Sequence, residues 1–201
     1  MDERSQVLGK TYGYRDGRTQ GVDEDVYKII SEEELYSRTG IQKQSFNTIY
    51  QLMAVKKNNP EHLKAAKNFL MLPDYFHFLL TGQKCSEYTN ATSTQLINAQ
   101  TNDWDRELIE RLGYPQEMFL PLSQPGTLVG SFTKNRRRGG ISCEVVLPAT
   151  HDTGSAVMAL PGEGDKNLYI SSGTWSLMGI ENKTAICTEE SRKRNSPMRR
   201  I

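Results

Sequence analysis

The chain has 201 residues, 25 Lys plus Arg against 24 Asp plus Glu for a net charge of +1, and a hydrophobic fraction of 36%. That even balance excludes the strongly basic surface of a nucleic-acid binder and gives no electrostatic pull toward an anionic membrane. Three scattered cysteines, Cys85, Cys143 and Cys187, form no Cys-x-x-Cys pair and exclude a disulfide framework or zinc knuckle, and the longest apolar runs, such as Phe69-Leu70-Met71-Leu72, fall far short of the ~20 residues that span a bilayer.

A reducing cytoplasm is the expected setting, and the clustering of apolar residues at regular spacings predicts a folded core. Met1 to Gly21 is polar and turn-rich, and Asp16-Gly17 predicts a hairpin-like segment. Ser31 with Glu34 makes a capping box, which predicts a helix through Leu35 and Tyr36 that stops at Gly40. Phe46, Ile49, Tyr50, Leu52 and Met53 recur at spacings of three and four, as do Leu63, Ala66 and Leu70 after Pro60 opens a second helix. Pro73-Asp74 starts a further helix through Leu79, stopped by Thr81-Gly82.

The Thr/Asn/Ser-rich block from Cys85 to Ala99 predicts a loop with a short helical or extended piece. Asn102-Asp103 is expected to cap a helix carrying Trp104, Leu108, Ile109 and Leu112, which ends at Gly113. From Leu120 to Gly140 the prolines, glycines and Arg136-Arg137-Arg138 predict a surface connection, followed by a strand over Cys143 to Pro148. Leu168 to Ile170 and Trp175 to Ile180 predict two more strands around the turn Ser171-Ser172-Gly173-Thr174. Helices dominate early and strands late, so the expected class is α/β.

The strand over Val145 to Pro148 delivers Ala149-Thr150-His151-Asp152-Thr153-Gly154 to a strand's carboxyl end, where open α/β sheets place ligands. Asp152 there is expected either to cap the following helix or to meet a ligand beside the free amides of its first turn. Ser171 to Thr174 is either a plain hairpin turn or a donor-rich phosphate contact. Neither a P-loop nor a G-x-G-x-x-G motif occurs. With only His62, His77 and His151, no His-rich metal centre is supplied; His62 is assigned to solvent and His77 to packing. A metal phosphohydrolase using His151, Asp152 and His77 stays open as a rival reading, and so does a non-catalytic binding fragment. The basic end, Ser191-Arg192-Lys193-Arg194 with Arg199-Arg200, is expected to be solvated.

Six motifs fall in one order: Tyr14-Arg15-Asp16-Gly17-Arg18-Thr19, Phe46-Asn47-Thr48, Met71-Leu72-Pro73-Asp74-Tyr75-Phe76, Glu87-Tyr88-Thr89-Asn90-Ala91-Thr92, Ala149-Thr150-His151-Asp152-Thr153, and Ser171 through Gly179. Together they resemble the rhamnulokinase branch of the FGGY carbohydrate kinases, from about residue 2 to about residue 195. The resemblance implies a ribonuclease H-like, actin/hexokinase-type ATPase fold, with residues 1–160 as most of the N-terminal sugar-binding domain and 161–201 as the start of the C-terminal ATP-binding domain. It implies transfer of the ATP γ-phosphoryl group, with Mg2+, to the 1-hydroxyl of the ketose L-rhamnulose. Asp152 is implied as catalytic base, His151, Asp152 and Thr153 as sugar contacts, and Thr174 as an ATP contact; no residue is assigned to a metal, no oligomeric state is fixed, and neither nucleic acid nor membrane is an expected partner.

The family's glycine- and aspartate-containing phosphate hairpin lies upstream of the point matched by Asp2, and most of its second domain follows Thr174. The chain is therefore expected to be truncated at both ends, with Met1 an internal start. Ser196-Pro197-Met198 stands where the family continues Phe-Thr-Asn, as a one-base frameshift would produce. Strands missing on both sides are expected to leave sheet edges and apolar surface exposed.

Overall fold

The computed structural model describes residues 1–132, 142–161, 167–173, 176–182 and 184–194. Asp16-Gly17 opens a 3-10 turn over Gly17–Thr19, with the Asp16 side chain accepting from Arg18 N, rather than a hairpin. Helix α1 (Val22–Tyr27) buries Val22 and Val26. In α2 (Glu32–Thr39) Ser31 caps as expected, its hydroxyl oxygen accepting from Glu34 N, and the three glutamates of the first turn suit the positive end of the helix dipole. Gly40 closes the helix at φ +65°, where a side chain would be strained.

Helix α3 (Thr48–Asn58) turns Ile49, Tyr50, Met53 and Ala54 inward. Helix α4 (Pro60–Ala65) begins at its proline but ends before Leu70, so the expected stripe to Leu70 is cut short. The physical reason is a tertiary one. Lys67 and Asn68 donate their amides to Met1 O at 2.8 and 3.2 Å, and Phe69 N donates to Met118 O at 2.8 Å, so the segment runs extended between two other parts of the chain. Helix α5 (Leu72–Thr81) follows and is stopped by Gly82 at φ +76°.

Strand β1 (Ser86–Glu87) leads directly into the single turn α6 (Tyr88–Ala91) and a 3-10 turn over Thr92–Thr94. Strands β2 (Ile97–Asn98) and β3 (Asp103–Trp104) pair antiparallel, so Asn102-Asp103 belongs to a hairpin and does not cap the next helix. Asn98 Oδ1 closes that turn on the amides of Gln100 and Thr101, and Asp105 takes the capping role for α7 (Arg106–Arg111) by accepting from Leu108 N at 3.0 Å.

The presumed surface connection after Leu120 holds β4 (Leu122–Ser123), parallel to β1, and β5 (Leu128–Ser131), antiparallel to β6 (Glu144–Val146). Arg136-Arg137-Arg138 lies outside the described residues. Helix α8 is Asp152–Met158; β7 (Leu168–Ser172) and β8 (Ser176–Ile180) form an antiparallel hairpin, and α9 (Glu189–Lys193) closes the described part.

The core lies among α1, α2, α3 and α7. It centres on Val26, Ile30, Leu35, Ile49, Tyr50, Leu96, Leu108, Ile109, Leu112 and Met118, all at most 1% exposed. Phe69, Trp104 and Phe119 extend it as an aromatic cluster, and Trp104 donates its indole N–H to Leu120 O at 2.7 Å, as a buried indole must. Among the described residues every sheet is two-stranded. Leu128, Val146, Leu168, Ile170, Met178 and Ile180 are exposed, in line with the expectation of open apolar edges. No described helix is long and apolar enough to cross a membrane.

Candidate active site

Glu87 organises the region. It is fully buried at the start of α6, and its carboxylate accepts five hydrogen bonds. Oε1 takes Thr89 N at 2.7 Å; Oε2 takes Thr89 Oγ1 at 2.7 Å, Asn90 N at 3.0 Å, Thr150 Oγ1 at 2.7 Å and Thr150 N at 3.1 Å. Burial by itself raises the pKa of such a group. Here the donors of Thr150, Thr89 and Asn90 outweigh it and hold Glu87 below the ordinary carboxylate value. Behind it, fully buried Asp74 accepts from Glu87 N at 3.1 Å; its carboxyl is pushed up to about 7, mainly by burial and further by the charge of Glu87.

Thr150 in that grip fixes the three residues after it. His151 N donates to Thr89 Oγ1 at 3.3 Å, and the buried ring caps α8, with Nδ1 accepting from Gly154 N at 3.0 Å. The cap of α8 is therefore His151, one residue before the expected Asp152. The reason is local: His151 has extended backbone at φ −77° and ψ 106°, while Asp152 already has helical position and its Oδ1 accepts from the adjacent Thr153 N at 2.6 Å. Thr153 Oγ1 lies 3.4 Å from the same oxygen. Asp152 Oδ2 makes no hydrogen bond to the described residues, and the side chain is exposed.

Asp152 with Thr150, His151 and Thr153 lines a cleft of about 630 Å³. The rest of the lining is polar and neutral, with Gln42, Gln44, Asn47, Asn90, Thr92 and Ser93, and Ile41, Phe46 and Leu177 supply apolar surface. Asn47 stiffens that wall, its Oδ1 accepting from Gln44 N at 2.6 Å while Nδ2 donates to Ser93 O at 2.9 Å. Phe46 is backed by Tyr14, edge to face at 5.8 Å, and its carbonyl accepts from Gln51 Nε2 at 2.6 Å; Gln51 Oε1 in turn accepts from Arg18 at 2.7 Å. The Tyr14 to Thr19 motif thus braces the cleft wall from behind.

Three of the four expected site residues, His151, Asp152 and Thr153, come together in this cleft. Thr174 lies outside the described residues. The rival His151, Asp152 and His77 grouping does not form; among the described residues His77 lies instead with Asp74 and Cys85. Sequence reasoning assigned no role to Glu87, Thr150, Gln44 or Asn47. Glu87 carried one signal, an acid one and two residues before Tyr88-Thr89, at a position suited to capping.

The described cleft lining carries one carboxylate and no Lys or Arg. Amide and hydroxyl groups around one carboxylate suit a neutral polyhydroxylated ligand, whose hydroxyls both donate and accept. They do not suit a triphosphate with its magnesium ion, which calls for cationic groups or an oriented array of backbone amides.

Residues 1–159 match the N-terminal domain of the FGGY family of carbohydrate kinases. The chain is 52% identical over 189 residues to a rhamnulokinase of Oceanobacillus iheyensis, covering 94% of this chain and 40% of that protein. It is 53% identical over 188 residues to a rhamnulokinase of Halalkalibacterium halodurans, covering 93% and 40%. The chain thus spans about 40% of the length of these curated relatives. In structure it resembles the xylulose kinase of Bifidobacterium adolescentis, with a TM-score of 0.70 at 13% identity over 89% of this chain and 44% of that one, a likeness of fold.

Proposed function

The chain belongs to the FGGY family of carbohydrate kinases, and from that premise we propose that it is the sugar-holding part of an ATP-dependent kinase acting on L-rhamnulose. Residues 1–160 form most of the sugar-binding domain in this reading, and 161–201 begin the ATP-binding domain. The observation that carries it is the placement of Asp152, with an unengaged carboxylate oxygen, on the edge of a neutral polar cleft. His151, Asp152 and Thr153 contact the ketose. Asp152 Oδ2 accepts the 1-hydroxyl, orients its oxygen and takes its proton, with Oδ1 held by Thr153 N so that the carboxylate does not swing away. Gln44, Asn47 and Asn90 supply further polar groups for the remaining hydroxyls.

ATP with Mg2+ is the phosphoryl donor that the family implies, and in such a transfer the protein mainly positions the partners and neutralises charge. A described lining without Lys or Arg supports a second statement: taken alone, the chain binds ketose without phosphorylating it. The test is a phosphorylation assay over several ketoses, run on this chain and on a version completed at both ends with the matching parts of the Oceanobacillus iheyensis relative. L-rhamnulose is expected to be the best acceptor of the completed version. Asp152→Asn in that version should lower kcat by about 10²-fold or more with KM little changed; equal turnover of the variant would end the assignment.

A further inference from the structure

Away from the cleft, α5 sets Asp74 and His77 three residues apart, on one side of the helix. The stop at Gly82 turns the chain back, so that Cys85 returns to them. One carboxylate oxygen of Asp74, one ring nitrogen of His77 and the Sγ of Cys85 lie within 4.8 Å of one another. Part of the bonding capacity of these groups is unused. Asp74 is fully buried, yet its Oδ2 has no hydrogen-bond partner, and His77 Nδ1 and the neighbouring Ser86 Oγ are buried and equally unpartnered among the described residues. Buried polar atoms are nearly always satisfied, so a convergent group of orphans asks for a missing partner.

We propose that Asp74, His77 and Cys85 form a binding site for a zinc-type divalent cation, with one oxygen, one nitrogen and one sulfur ligand and a water in the fourth position. The donor set selects the ion. Magnesium and calcium take oxygen ligands, whereas imidazole with thiolate suits zinc. Ligand bonds of ~2.0–2.3 Å place tetrahedral ligands roughly 3.5 Å apart, so about 1 Å of side-chain closure from the observed spread completes the site. Glu87 N, donating to Asp74 Oδ1, supplies the outer bond that orients a ligating carboxylate and leaves Oδ2 for the cation. On binding, the Cys85 thiol proton and any proton held by the Asp74 carboxyl pass to buffer, and Sγ coordinates as thiolate. None of the three side chains lines the Asp152 cleft, so the site stands whether or not the kinase reading does.

The experiment strips the purified chain with a chelator, adds Zn2+ or Co2+ in steps, and removes unbound metal by desalting. About one ion per chain is expected to remain, and the cobalt form should show a near-ultraviolet thiolate-to-metal charge-transfer band. Affinity should fall by more than ~100-fold, beyond the loss of a typical outer-shell partner, in Cys85→Ser and in His77→Gln. Cys143→Ser and His62→Gln should bind like the native chain. Absence of retained metal on the folded native chain overturns the proposal, and so does a charge-transfer band that survives in Cys85→Ser. Should both ligand variants fail to fold, a Cys143→Ser, Cys187→Ser double variant decides: its band supports Cys85 as ligand, and loss of the band while the chain stays folded refutes it.

Discussion

Glu87 Oε2 accepts both the backbone amide of Thr150, at 3.1 Å, and its hydroxyl, at 2.7 Å, across 63 positions of sequence. This buried clasp joins the start of α6 to the segment that carries His151 and Asp152. Glu87→Ala leaves the buried donors of Thr89, Asn90 and Thr150 unpaired and is expected to lower the unfolding free energy by about 3 kcal/mol. Urea denaturation of the chain measures it. Combined with Thr150→Val, the two losses should be less than additive, because both remove the same bonds; full additivity would show that the clasp has no energetic meaning.

The guanidinium of Arg38 reaches three carboxylates: Asp105 at 3.1 Å, Glu107 at 2.8 Å and Glu34 at 3.1 Å. They are not equivalent, since the side chain of Asp105 is 4% exposed and that of Glu107 64%. Arg38→Met leaves the Asp105 charge buried without its counter-ion and should cost about 3 kcal/mol. Glu107→Gln touches only solvent-screened pairs, with Arg38 and with Arg111, and should cost less than about 1 kcal/mol. Equal shifts of the denaturation midpoint would contradict this ranking.

Burial raises the phenol pKa of both Tyr50 and Tyr114, and Tyr114 donates to Ile49 O at 2.8 Å. A group raised in the folded state lends stability below its unfolded pKa, here about 10, and that stability is lost as pH climbs above it. Each phenol should therefore add a fall of about 1.4 kcal/mol per pH unit above pH ~10. In a spectrophotometric titration these two of the nine tyrosines should stay protonated until the chain unfolds. Tyr114→Phe should make the alkaline slope shallower; an unchanged slope would show that Tyr114 already ionises in the folded chain.

On the β7–β8 hairpin Leu168 stands opposite Ile180 and Ile170 opposite Met178, all four 61–73% exposed and on one face. Such a contiguous apolar strip should bind a hydrophobic dye such as anilinonaphthalene sulfonate. Ile170→Thr with Met178→Thr keeps strand preference while removing the strip and should quench most of that fluorescence. Undiminished fluorescence would place the dye elsewhere.

Local signals carried the helix ends well. Ser31 with Glu34, Pro60, and the glycines at 40 and 82 act through their own backbone needs, and each stands where its chemistry predicts. Features set by distant partners were invisible. The end of α4 depends on Met1 and Met118, and β5 depends on a strand beginning at Glu144. Within the candidate site, His151, Asp152 and Thr153 were legible because they are consecutive and follow a strand. Glu87 and Thr150 were not legible as a pair, because nothing short of the fold shows that residues so far apart share one carboxylate. The same holds for His77 and Cys85: as a single histidine and a single cysteine they carry no ligand spacing, and only the turn at Gly82 brings them together.

The cap that His151 places on α8 has a consequence for proton placement. With Nδ1 occupied as acceptor from Gly154 N, the neutral ring carries its hydrogen on Nε2, so the helix selects the tautomer. Asp152, the next residue, keeps an acceptor oxygen, Oδ2, clear of the described residues. Of two adjacent residues, one is thus committed to the start of the helix while the other holds a carboxylate at the cleft.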